Sequence, residues 1–140
     1  GWATDAFRLA TSKALPETQV HTHMCYSEFG EILEAIDRLD ADVISIENAR
    51  SDDATLRELA AYGYPREVGP GVYDIHSPVV PGTTFVEEKV RSFLAHLAPD
   101  RIWVNPDCGL KTRTWAEVLP SLRAMVAAVE RLRGEIRGVG

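Results

Sequence analysis

Short apolar runs alternate with longer amphipathic ones four times along the chain, with Gly, Pro, Asp and Asn at the junctions. The first short run, TQVHTHMC (residues 18–25), precedes a stripe at 3.6-residue spacing made of Phe29, Ile32, Leu33, Ile36 and Leu39. The second, DVISIEN (residues 42–48), precedes a helix carrying Leu56, Leu59 and Ala60 that Gly63 stops. A third strand lies within REVGPGVYDIH (residues 66–76). A capping box of Thr84 and Glu87 then opens a helix with Val86, Val90, Phe93, Leu94 and Leu97 on one stripe. The fourth run, RIWVNPDCG (residues 101–109), leads to a helix marked by Val118, Leu122, Val126, Val129 and Leu132, whose regular part starts a few residues before Pro120. Residues 1–12 read as the end of a helix.

Strands alternating with helices of this length imply βαβ units and a parallel sheet. A doubly wound sheet would show a glycine-rich phosphate turn after its first strand, and CYSEFGE is not one. A (β/α)8 barrel instead gathers its chemistry at the C-terminal ends of successive strands. The metal-capable residues fall there: His23 and Cys25 end the first strand, Glu47 the second and Cys108 the fourth, while His76 follows the third. The expected fold is therefore α/β, four consecutive parallel β/α units forming the second half of a (β/α)8 TIM-type barrel. Residues 1–140 make one partial barrel domain.

Composition narrows the partners. The chain has 140 residues, 45% hydrophobic and 26% charged, enough for a real core. A net charge of -6 and no basic stripe argue against nucleic acid. Without an apolar run of about 18 residues or a signal segment, no membrane partner and a cytoplasmic location are expected. Two cysteines do not make a secreted disulfide framework, so metal binding or catalysis is the first reading, with a Cys25–Cys108 disulfide as the plain alternative.

His23 and Cys25, two apart on a strand, leave the same face with Cα atoms about 6 to 7 Å apart. One zinc ion fits between an imidazole and a thiolate so placed, and a tetrahedral site needs two further ligands, which Glu47 and Cys108 supply from neighbouring strand ends. The carboxylate is the harder donor, the one expected to yield to an incoming thiol. Buried cysteine is also common as a small hydrophobe. His21 shares the face but lies deeper, as a hydrogen-bonded core or supporting histidine, and His96 sits among helical apolar residues. Lys111 and Arg113 stand just past Cys108, either to attract an anionic substrate or as part of a solvated turn into a Thr114–Glu117 capping box. Gly69 and Gly71 relieve crowding or fit a turn.

The stretches HTHMCYSEF, VISIENARSD, EVGPGVYDIHSPVVP and WVNPDCGLKTRTW resemble the motifs of the cobalamin-independent methionine synthase family, the 5-methyltetrahydropteroyltriglutamate-homocysteine methyltransferases. The resemblance runs over residues 6–133. It implies zinc held by His23, Cys25, Glu47 and Cys108, with His76 as proton donor and Glu47 beside the homocysteine. The implied substrates are homocysteine and 5-methyltetrahydropteroyltri-L-glutamate, and the product is methionine. Members of that family are several hundred residues long with two barrels, so this chain corresponds to the last four units of the catalytic one and is expected to be inactive alone. Two unpaired sheet edges imply that copies associate, as a homodimer or a higher species. The other readings are a related barrel thiol methyltransferase with a different methyl donor and a non-catalytic zinc-binding module, the latter disfavoured by a carboxylate in the ligand set.

Overall fold

The structure, a computed structural model, describes residues 1–25, 29–30 and 32–138, so residues 26–28 and 31 of the quoted motifs lie outside the described residues. The order is α1 (Trp2–Thr11), β1 (His21–Met24), α2 (Leu33–Asp37), β2 (Val43–Ile46), α3 (Ala54–Tyr62), β3 (Glu67–Pro70), α4 (Thr83–Leu94) and α5 (Trp115–Gly138). Single 3-10 turns at Pro99–Arg101 and Leu110–Thr112 flank the fourth expected strand.

The strands are parallel in the order β1-β2-β3, with His23 opposite Ser45 and Ser45 opposite Gly69. β2 is the central strand, and its β-branched run is almost wholly buried, as a strand covered on both sides requires. Ile44, Ile46 and Val68 pack against Leu56, Leu59, Val86 and Phe93 of the helices, each with no measurable exposure. Each such side chain contributes about 1.5–3 kcal/mol by leaving water. The alternate residues His21, His23, Val43 and Ser45 line the other face, with Trp103, Asn105 and Asp107, around a hollow of about 380 Å³. Helices packed on one face and a polar hollow on the other suit a segment of barrel wall better than a doubly wound sheet. Among the described residues no helix is long and apolar enough to cross a membrane.

The fourth strand departs from expectation. Four β/α units were anticipated, and the described residues hold three strands in an open sheet; residues 101–109 run parallel to β3 with only two isolated bridges, Val68 to Ile102 and Gly71 to Asn105. Trp103 N donates to Val68 O and Val72 N to Asn105 O, both at 2.9 Å. Between them the ladder needs an N–H from residue 70, which is proline and has none. Further on, Asp107 N bonds Tyr73 O at 3.0 Å, one residue out of register.

The helices differ in detail. Gly63 caps α3 at φ 74°, with Tyr64 N bonded to Leu59 O, as its sequence demands. Ala60 is exposed, and α2 is a short helix burying only Leu33 and Ile36. The Thr84–Glu87 box does not form, because α4 starts at Thr83 and Glu87 instead pairs with Arg131 at 3.1 Å. At α5 the Thr114 N–H does reach the Glu117 carboxylate, 2.9 Å away. This helix buries Val118, Ser121, Met125, Ala128 and Leu132; the expected stripe through Leu122, Val126 and Val129 lies beside that face, lining a groove of about 800 Å³ along the fourth segment.

Candidate metal centre

β1 ends at Met24 and β2 at Ile46, so Cys25 and Glu47 are the first residues beyond two paired strands. His23 is the last β1 residue on the hollow face, and Cys108 closes the fourth segment. One donor atom from each of His23, Cys25, Glu47 and Cys108 lies within 4.8 Å of the other three. Tetrahedral zinc bonds of about 2.0–2.3 Å place paired ligand atoms at such separations after a small contraction. Glu47 is buried, while His23 and Cys25 open to solvent.

The hydrogen bonds set each donor's state. With the one Ser45 hydroxyl hydrogen on Thr22 O at 3.2 Å, the ring is the donor in the 2.8 Å contact between His23 Nδ1 and Ser45 Oγ. That tautomer leaves the lone pair of His23 on Nε2, the atom a metal would take. Cys25 and Cys108 hold their sulfurs 3.7 Å apart, well beyond a disulfide bond of about 2.05 Å, so the disulfide reading does not apply to this state. The Cys108 thiol donates to Glu47 Oε1 at 2.9 Å. That bond first, and the neighbouring Cys25 second, push its pKa up to about 12, so the metal-free thiol is protonated at neutral pH. Two thiols, an imidazole nitrogen and a carboxylate oxygen converging on one point make a donor set that fits zinc.

His76 lies in the loop after β3, on the same end of the sheet. Its backbone N–H and its ring Nδ1 both meet Asp74 Oδ1, at 2.9 and 3.0 Å, and the ring is half exposed. Burial raises the Asp74 pKa, but the two bonds from His76 and the Arg50 guanidinium 3.9 Å away outweigh it, and the net shift is downward. Asp74 is therefore an ionised acceptor that fixes Nδ1 as the protonated nitrogen.

The other singled-out residues separate from the centre. His21 bonds Gln19 at 2.9 Å and meets the edge of Trp103, with ring centroids 5.0 Å apart; it is exposed and outside the cluster. His96 follows the end of α4. Arg113 pairs with Glu117 within its own turn, which favours the capping reading over an anion site. Gly69 and Gly71 are crowding glycines, since a Cβ on either would overlap the side chain of Asn105 or Asp107. Two supporting residues escaped the sequence reading. Ser45 shares strand parity with Glu47 and was detectable on that ground; Asp107, 1% exposed beside Cys108, gave only its polarity as a signal.

The family model described as "Cobalamin-independent synthase, Catalytic domain" matches residues 1–131. A 5-methyltetrahydropteroyltriglutamate--homocysteine methyltransferase of Synechococcus sp. (strain JA-2-3B'a(2-13)) is 61% identical over 135 residues, 96% of this chain and 18% of that protein. Proteins of the same name from Streptomyces griseus and Vibrio harveyi are 59% and 51% identical over 135 residues, again 96% of this chain and 17% and 18% of theirs. The chain thus spans less than a fifth of the length of these relatives. The solved structure of a B12-independent methionine synthase from Shewanella sp. W3-18-1 in complex with selenomethionine superposes with a TM-score of 0.82 over 98% of this chain and 44% of that one, at 18% identity. At that identity the likeness speaks for the fold.

Proposed function

Since the chain belongs to the cobalamin-independent synthase catalytic-domain family, we propose that it carries the metal-binding part of an enzyme transferring a methyl group from 5-methyltetrahydropteroyltri-L-glutamate to the thiol of homocysteine. The observation that carries this reading is the convergence of His23, Cys25, Glu47 and Cys108 within 4.8 Å at the C-terminal end of a parallel sheet. In this reading those four residues hold zinc. Bound there, zinc supplies the positive charge that keeps a substrate thiol deprotonated, and so nucleophilic, at neutral pH.

The chain's own residues orient the ligand ring and the proton donor. Ser45 holds the His23 ring in the tautomer that presents Nε2. Asp74 fixes Nδ1–H of His76, so that Nε2 of His76 is the nitrogen that takes up and delivers a proton. The leaving nitrogen N5 of the folate departs poorly as an anion, and a proton delivered as its bond to methyl carbon breaks makes it a neutral amine. An ionised Asp74 stabilises the imidazolium before that transfer.

Cobalt(II) titration tests the reading. The full chain should bind about one equivalent with intense thiolate-to-metal absorption, and homocysteine should alter that absorption by adding a sulfur donor. A chain that binds cobalt but ignores homocysteine would favour a closed structural site instead.

A further inference from the structure

We propose that Asp107 is a positioning residue of the metal centre, a carboxylate that ties the segment bearing Cys108 to the segment bearing Glu47 before any metal arrives; this rests on the metal-site reading above. Asp107 directly precedes Cys108 and is 1% exposed. Its Oδ1 accepts hydrogen bonds from Asn48 N at 3.0 Å and Ala49 N at 3.2 Å, the first two amides after Glu47. Bonds from N–H groups to a carboxylate are stronger than neutral ones, and a buried carboxylate is tolerable only with such partners.

The path of that side chain is constrained from below. Asp107 N is anchored to Tyr73 O, and the carboxylate crosses the backbone at Gly71, where an added Cβ would stand 1.8 Å from Oδ1 and 3.0 Å from Asp107 N. Only a bare Cα leaves that passage. One residue thus links the ends of three consecutive parallel segments, bonding the loop after β2 through its carboxylate and the segment after β3 through its backbone N–H. The β2 loop has further ties, from Asn48 Nδ2 to Asp53 at 2.9 Å and, on its far side, from Lys89 Nζ to Ser51 O at 3.0 Å. Asp107 holds the near side, next to Glu47, whose Oε1 stands 2.9 Å from Cys108 sulfur. Partners of this kind set ligand orientation, and their loss typically weakens metal affinity about 10- to 100-fold.

The test is cobalt(II) affinity of the full chain, read from thiolate-to-cobalt absorption, together with amide exchange. Asp107→Ala should bind about 10- to 100-fold more weakly than the parent, while Asp107→Asn, which keeps an acceptor oxygen, should lose about threefold or less. In a Glu47→Gln background the Asp107→Ala penalty should shrink to about threefold, because the ligand it positions has gone. The Asn48 and Ala49 amides should exchange slowly in the metal-free parent. The proposal falls if Asp107→Ala titrates like the parent, or if its full penalty persists without Glu47. It falls equally if those two amides exchange freely until cobalt binds, a measurement that needs no variant and decides the matter should Asp107→Ala not fold. A parent chain with no thiolate-to-cobalt absorption would instead overturn the metal reading itself, and this inference with it.

Discussion

The strand-end mouth and the flank beyond the fourth segment are built on opposite terms. At the mouth the polar groups are braced by neighbours inside the chain, His23 by Ser45, Cys108 by Glu47 and His76 by Asp74. Along the flank, Leu122, Val126, Val129 and Ile136 of α5 line an open apolar groove with Trp103, and Val126 and Ile136 are about half exposed. Polar chemistry here is completed locally, whereas apolar cover on this side is not. A cluster of donors therefore needs only a few loops, but positioning a substrate needs walls.

The sharpest challenge to this contrast is catalysis by the isolated chain. With zinc, homocysteine and the folate triglutamate it should form no methionine above buffer, because alignment of the reacting atoms can be worth roughly 7–11 kcal/mol of barrier and the chain spans only 18% of its relatives. Zinc-dependent methionine production by this chain would show that the mouth suffices. Next in size, Cys108→Ala should lose stoichiometric zinc by metal analysis while His96→Ala keeps it; equal contents would dissolve the cluster.

The two faces of α4 and α5 offer a stability contrast. Phe93 has no measurable exposure, and Phe93→Ala should cost about 3–5 kcal/mol in denaturant unfolding. Val126 is 57% exposed, and Val126→Ala should change stability by about 0.5 kcal/mol or less. A large effect at Val126 would mean that copies already cover the groove in solution, which sedimentation of the same variant would reveal as a shift toward monomer.

Much of the mouth could be read from residue order, because strand parity and the C-terminal ends of parallel strands are local rules. His23 and Cys25 share a face by spacing alone, and Gly63 stops α3 by its left-handed backbone. The failures were non-local. Pro70 interrupts the pairing of a segment more than thirty residues later in the chain, which no pattern within residues 101–109 announces. The buried face of α5 passes through Ser121 and Ala128, small residues whose use depends on α4 lying close, while larger apolar residues point to the groove. Asp107 looks like an ordinary turn acid until Gly71 is seen beneath it.

Ser45→Ala should lower cobalt affinity about tenfold by freeing the His23 tautomer, with the thiolate absorption retained. The smallest effect is on pH. The folded pKa of Cys108, about 12 against an ordinary 9.0, is raised, so its bond to Glu47 stabilises the metal-free fold fully below pH 9 and is lost as pH rises toward 12. Between pH 9 and 11 the urea midpoint of the metal-free parent should fall further than that of Cys108→Ser. Identical slopes would place the thiol proton elsewhere.

Pro106 gives the fourth segment a further property. Trp103, Asn105 and Asp107 use their backbone groups toward β3, so by alternation the amides at 104, 106 and 108 face outward. The middle one is proline and offers no hydrogen. A stray chain seeking to propagate cross-β growth from this rim meets two donors with a gap between them, too short a run for a continuous ladder. The proline between Asn105 and Asp107 thus makes this edge a poor template for pairing with an extended chain.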